Sequence, residues 1–154
     1  MGVHPMKTIR EIVGARDAYS VSPTDSVTEV IRYLFEKEIG AIAVCENRKV
    51  VGVFSERDLM RRVVYEKRDP DKTTVREVMT APVFHVSIDE RYDVAKALML
   101  GKNFRHLVIL DDEENLCGFV SMRELLEVDL AETKDLVHKL NDGYYQHDFE
   151  RPKR

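Results

Sequence analysis

The sequence predicts an α/β fold built from two β-α-β-β-α copies. Three observations carry that expectation. The apolar residues alternate between a helical period and short strand-like runs. Matched blocks recur at a nearly constant offset: Thr8-Ile9-Arg10-Glu11-Ile12-Val13 with Thr74-Val75-Arg76-Glu77-Val78-Met79 at 66 residues, Val21-Ser22 with Val86-Ser87 at 65, and Gly52 with Gly118 at 66 again. The third is a strand-to-helix junction that occurs twice, Val50-Val51-Gly52-Val53-Phe54-Ser55-Glu56-Arg57-Asp58 and Leu116-Cys117-Gly118-Phe119-Val120-Ser121-Met122-Arg123-Glu124.

Each copy opens on a lead-in helix or turn, Thr8–Val13 or Thr74–Thr80, and a short extended piece, Ala18–Ser22 or Val83–Val86. A helix follows. In the first copy Val27, Val30, Ile31, Leu34 and Phe35 share one helical face. Ser26 and Glu29 form a capping box at its start, and Gly40 lies past its end. In the second copy the helix covers about Glu90–Leu100, with Tyr92, Ala95, Leu98 and Met99 inward and Gly101 closing it. Two strands joined by a tight polar turn read as a hairpin, Ala41–Cys45 with Val50–Phe54 and His106–Leu110 with Leu116–Val120. The closing helices are Glu56–Tyr65 and Met122–Val128. Residues 7–69 and 70–130 form the two repeats. Residues 131–154 add a helix, stopped by Asn141-Asp142-Gly143, and a loose tail in which Tyr144, Tyr145 and Phe149 can dock on a partner. A unit this small has a marginal core alone, so the copies are expected to pack face to face, leaving two equivalent clefts.

Composition narrows the function. The chain is 44 % apolar and 34 % charged, which suits a packed core. Its net charge of −4 gives no general attraction to nucleic acid or to an anionic membrane. The basic cluster Arg57, Arg61, Arg62, Lys67 and Arg68 reads as a solvated helix face. Cys45 and Cys117 lie in apolar runs and read as small buried hydrophobes in a reducing, cytoplasmic compartment. The start of the chain has no signal-peptide pattern, and no apolar run is long enough to span a membrane. The five histidines, His4, His85, His106, His138 and His147, lack metal-ligand spacing, and His85 is expected to be half-buried in its strand. No nucleophile elbow, P-loop or dinucleotide fingerprint occurs, so no catalytic residue, metal or resident cofactor is expected.

The repeated junction admits two readings. A serine opening a helix sits among unsatisfied N–H groups at the positive end of the helix dipole, which suits phosphate. The preceding glycine lets another group approach the backbone. Asp58, three residues after Ser55, can accept from ribose hydroxyls, and Arg57 can neutralise phosphate. The second reading is structural: Ser55-x-x-Asp58 and Ser121-x-x-Glu124 are also capping boxes.

The ordered blocks Gly-Val-Phe-Ser-Glu-Arg-Asp at 52–58, Val-Met-Thr at 78–80, Phe-Arg-His-Leu at 104–107 and Gly-Phe-Val-Ser-Met-Arg-Glu at 118–124 resemble a tandem pair of cystathionine-β-synthase (CBS) domains, a Bateman module. The resemblance covers about Lys7 to Leu130. It implies a regulatory, non-enzymatic module for adenine nucleotides (AMP, ADP or ATP, in some members NAD(H) or S-adenosylmethionine). Carried over, the phosphate and ribose contacts fall to Ser55 and Asp58 and, in the second copy, to Ser121. Arg105, with His106 beside it, matches a phosphate contact, and Thr80 and Val83 match adenine-pocket positions. Glu124 stands where the pattern has aspartate, Val108 where it has proline, and Gly40-Ala41 where the second copy has Arg105-His106. The resemblance also implies homodimers of stacked pairs and an effector protein that reads the module. The alternative class is a structural or protein-interaction module with vestigial nucleotide clefts; a hydrolase has little support.

Overall fold

A computed structural model describes residues 6–147, with side-chain surroundings given to residue 142. Its elements run α1 (Ile9–Val13), β1 (Ser20–Val21), α2 (Val27–Lys37), β2 (Ala41–Glu46), β3 (Lys49–Ser55), α3 (Glu56–Asp58) continuing as a π-helix over Leu59–Val64, α4 (Val75–Val78), β4 (His85–Ser87), α5 (Tyr92–Lys102), β5 (His106–Leu110), β6 (Leu116–Ser121) and α6 (Met122–His147). Two three-stranded sheets form, β1-β2-β3 and β4-β5-β6. In each, the first strand is parallel to the middle one and the hairpin partner is antiparallel. The α/β class and the repeated hairpins are as expected. The middle strands are buried over consecutive residues, 41–44 in β2 and 107–109 in β5, whereas the hairpin partners alternate between buried and half-buried residues.

The lead-in helices are exchanged between the copies. Ile9 and Val13 of α1 are buried with Val86, Tyr92, Met99, Leu107 and Ile109, the core of the second sheet. Val75 and Val78 of α4 are buried with Val27, Val30, Ile42 and Phe54, the core of the first. Matching backbone bonds secure both exchanges. Ile9 N donates to Glu90 O (2.8 Å) and Tyr92 N to Lys7 O (3.0 Å); Val75 N donates to Asp25 O (2.9 Å) and Val27 N to Thr73 O (2.9 Å). Thr8 and Thr74 each start their helix with a capping box. Such short helices have little stability alone; each is held by the apolar side chains it inserts into the other copy's core.

Several expected boundaries shift. α2 ends at Lys37 with Glu38 in the left-handed conformation, so Gly40 lies beyond the cap. Gly101 sits inside α5, and Asn103 takes the left-handed closing position. Both substitutes satisfy the carbonyls of the last turn with their N–H groups, the job a glycine does elsewhere. Phe35 is 83 % exposed rather than inward, because it lies at the edge of the apolar stripe in the last turn of α2. The closing helix of the first copy is mostly π-helical, with Tyr65 N donating to Met60 O. His85 is exposed rather than half-buried, since Val86 is the inward residue of the three-residue β4. Cys45 and Cys117 are free but only partly buried.

The largest difference is at the end of the chain. The expected short closing helix and the additional helix are one element, α6, which continues through Asn141, Asp142 and Gly143. Their unfavourable propensities, on the order of 1 kcal/mol or less each, weaken a helix without stopping one already propagating. Phe149 and the side chains of Tyr144 and Tyr145 lie outside the described residues.

The exchange has a direct test. Ile9→Ala is expected to cost roughly 2–5 kcal/mol and to raise amide hydrogen exchange first in β5 and β6. Val75→Ala should do so first in β2 and β3. Loosening of the neighbouring sheet in sequence, rather than the distant one, would contradict the interleaving.

Candidate functional site

The junction after β3 is built around Asp58, which is 7 % exposed. Its Oδ2 accepts from the Ser55 N–H and Ser55 Oγ, each at 2.9 Å, and its Oδ1 accepts from Thr80 Oγ1 at 2.8 Å. Thr80 follows α4, so this carboxylate ties the first copy's junction to the second copy's lead-in. Val53 and Thr80 reinforce the tie with reciprocal backbone bonds of 3.0 and 2.8 Å. Arg62 donates to the Val78 and Met79 carbonyls, at 3.1 and 2.5 Å, and stands 3.7 Å from Asp58 Oδ1. The group that uses the close approach at Gly52 is the Met79 side chain: a Cβ there would fall 2.3 Å from its Sδ.

The capping reading of the repeated motif therefore holds in both copies. The first-turn donors expected to meet phosphate are largely used internally: Glu56 N donates to Gly40 O and Asp58 N to Ser55 Oγ. In the second copy, Met122 N donates to Arg105 O, and Glu124 N to Ser121 Oγ. Asp58 keeps unused acceptor capacity on Oδ1, because a carboxylate accepts about four bonds.

Positive charge comes instead from side chains. A cavity of about 370 Å³ lies between the copies, lined in part by Ser55, Arg57, Asp58, Thr80, Val83, Arg105 and His106. The first copy's serine-acid pair and the second copy's arginine-histidine pair thus meet in one cleft. Arg61 lines it as well. Among the described residues, the side chains of Arg57, Arg61 and Arg105 have no hydrogen-bond or ion-pair partner, so three uncommitted guanidinium groups line the same space. The lining also has an aromatic part, with Phe84 and Phe104 in tilted contact, ring centroids 4.7 Å apart. A cavity of this size with an aromatic wall and convergent polar groups is suited to a small organic anion.

Ser121 and Glu124 line the other cleft, about 430 Å³, related to the first by the repeat. Here Glu124 Oε1 accepts from Arg16 Nη1 at 2.7 Å while Oε2 accepts from Ser121 N and Oγ at 2.8 and 3.0 Å. Arg16 also donates to the Phe119 and Val13 carbonyls. Burial pushes the Glu124 carboxyl up, but the Ser121 and Arg16 hydrogen bonds outweigh it and hold it below the usual range. The clefts are unequal: in one an aspartate is held by threonine with Arg62 at 3.7 Å, and three further arginine side chains have no partner among the described residues, while in the other a glutamate neutralises the nearby arginine. His106 borders both clefts, and desolvation holds its imidazole below the ordinary value, favouring the neutral ring.

Sequence reasoning missed Arg16, Phe84 and Arg61 as cleft residues. Arg61 was visible in the basic cluster but read as solvated. Phe84 and Arg16 lie between matched blocks, where pattern carried no signal. Among the described residues, no cluster of three or more potential ligands could hold a metal ion, and no helix is long and apolar enough to cross a membrane.

The CBS domain family matches residues 9–65 and 75–131, and the chain belongs to that family as a tandem pair. It is 35 % identical over 118 residues to an uncharacterised protein of Methanopyrus kandleri, covering 76 % of this chain and 60 % of that one. It is 32 % identical over 129 residues to inosine-5′-monophosphate dehydrogenase of Methanocaldococcus jannaschii, covering 81 % of this chain but 25 % of the enzyme. The chain thus spans only part of the length of these relatives. Among solved structures, a CBS domain protein from Pyrobaculum aerophilum complexed with AMP superposes with a TM-score of 0.70 at 26 % identity, covering 77 % of this chain and 89 % of that one.

Two measurements follow. Arg16→Ala leaves the part-buried Glu124 without its cation and should lower stability by about 1 kcal/mol, read by chemical denaturation; no change would make the pair energetically idle. His106 should titrate by NMR below about 6.5. Since the unfolded chain takes up that proton first, stability should fall as pH drops from the unfolded value toward the folded one. His106→Gln should remove that part of the pH dependence.

Proposed function

We propose that this CBS pair is a regulatory module that binds an adenine nucleotide (AMP, ADP or ATP, with NADH a further candidate) in the cleft of Ser55, Asp58 and Arg105, and signals to an effector protein by changing how its two copies pack. The observation that carries this is that uncommitted Arg57, Arg61 and Arg105 line the same cavity as the Phe84–Phe104 pair. Guanidinium groups pair with phosphate in forked geometry, and a purine is flat enough to lie on the apolar wall with Thr80 and Val83. The AMP complex of the Pyrobaculum aerophilum relative supports the ligand class. The enzyme relative supports a regulatory role, because there the matching region is a quarter of a larger protein.

Signalling follows from where the cleft lies. Its walls come from both copies, and Asp58, Thr80 and Arg62 join the exchanged α4 to the first copy's junction. A ligand bridging Ser55 and Arg105 binds the possible packings of the copies unequally, which is what a shift requires. The module works as a homodimer in the cytoplasm and performs no chemistry itself. One observation favours the alternative of a structural or interaction module: both motif acids are committed to caps and to protein donors.

A thermal-shift panel with AMP, ADP, ATP, NADH and S-adenosylmethionine separates the two. A ligand at about 100 times its dissociation constant adds roughly 2.7 kcal/mol of stability. Arg105→Ala should abolish most of the shift, and Glu124→Ala should leave it nearly intact. No shift with any member of the panel rejects the nucleotide reading in favour of the interaction module.

A further inference from the structure

The second half of α6 leaves the body of the protein. Among the described residues, its last side-chain tie to the core is at Glu132, whose Oε2 accepts from the Tyr92 hydroxyl at 2.8 Å. Residues 133–142 are all exposed. A helical segment of that length is marginal in water without packing. Along one side of α6 run Leu126, Leu130, Thr133, Val137 and Leu140, alternately four and three residues apart. At 100° per residue they form a narrow stripe, the spacing of a coiled-coil seam rather than of a globular core face. Leu126, Leu130, Val137 and Leu140 are 50–58 % exposed.

The two ends of this seam differ in shape. Beside its N-terminal half lies a mostly apolar groove of about 640 Å³, bordered by His106, Met122, Leu126 and Leu130. Its C-terminal half is bare helix carrying Val137 and Leu140. One end is a receptacle and the other is a projecting apolar ridge, so one molecule supplies what a second copy needs, in reverse order. That is the requirement for a closed two-fold contact.

We propose that α6 pairs antiparallel with α6 of a second copy, each C-terminal half seating Val137 and Leu140 against the groove beside the other's Leu126. Leu126 then lies opposite the second copy's Val137, and Leu130 opposite its Thr133, over a seam about 21 Å long at 1.5 Å per residue. Charge agrees with this direction. Glu127 and Lys134 flank the seam on the same side, and the antiparallel register sets Glu127 against the second copy's Lys134, twice per pair. Glu127 also accepts from Arg123 of its own helix at 3.0 Å, and Lys134 has no partner among the described residues. A parallel pair would instead place Lys134 near Asp129, which already accepts from Lys96 and Tyr92. Because Arg105 and His106 border both this groove and the first cleft, the pairing covers the back of the candidate ligand site. The proposal names the surface of the homodimer expected above, and it does not depend on nucleotide binding.

Sedimentation equilibrium of the full chain tests it. The wild type should exceed monomer mass, and Val137→Glu with Leu140→Glu should halve the particle mass while circular dichroism still reports a folded protein. Glu127→Lys or Lys134→Glu alone should weaken association about tenfold, as two ion pairs become repulsions. The double exchange should restore it to near the wild-type value. A monomeric wild type would leave the ridge to a different protein and overturn the proposal. So would an unchanged mass in the Val137/Leu140 variant, as association through another face predicts. A double exchange no better than Lys134→Glu alone would overturn the antiparallel register. The thermal-shift panel reads nucleotide binding separately, so either reading can fail without the other.

Discussion

The exchange of the two lead-in helices is the constraint on which the rest of the structure depends. Ile9 and Val75 are fully buried in cores built mainly by the other copy, residues 86–125 for Ile9 and 27–63 for Val75. Neither sheet can complete its core from its own copy, so the two must form together. Backbone bonds at the heads of α2 and α5 set the register of the exchange, and the apolar side chains of α1 and α4 supply its energy. The clefts are a consequence. Where each lead-in leaves one copy's core and starts its own first strand, it passes over the junction serine of the opposite copy.

Pseudo-symmetry then makes two sites of the same outline but different chemistry. Asp58 accepts from neutral Thr80 and has Arg62 at 3.7 Å, while the side chains of Arg57, Arg61 and Arg105 keep their charge available. At the related position Glu124 accepts from Arg16, and the charges cancel within the protein. A longer acid and one inserted arginine turn a site with spare positive charge into one already neutralised. The same junction therefore serves as a cap in both copies and borders a prospective anion site in one. On the proposed reading, capping and anion binding are compatible, because the uncommitted charge sits on side chains rather than on the helix terminus.

The C-terminal helix joins assembly to this arrangement. α6 begins at the second copy's junction, contributes Leu125 to the core, and then carries an apolar seam away from the body. Its opening turns border the groove that Arg105 and His106 share with the first cleft. Whatever covers the seam therefore touches the walls of the candidate site, and ligand and partner can bias the same packing.

The amino-acid sequence by itself determined the repeat, the α/β class, the hairpins and the junction serines, because these depend on local periodicity and on short-range capping chemistry. The offset between Thr8-Ile9-Arg10-Glu11 and Thr74-Val75-Arg76-Glu77 exposed the lead-ins as equivalent, and the sequence showed Ser55-Asp58 and Arg105-His106 to be divided between the copies. Tertiary structure alone decided which core each lead-in enters, since Ile9 is equally apolar against either sheet. It also decided that Thr80 and Arg16 reach the two motif acids, contacts spanning 22 and 108 residues that leave no local trace. The length of α6 was hidden for a related reason. Asn141-Asp142-Gly143 reads as a stop in isolation, but a helix already nucleated on a packed core propagates through three weak residues at a cost smaller than that of starting anew.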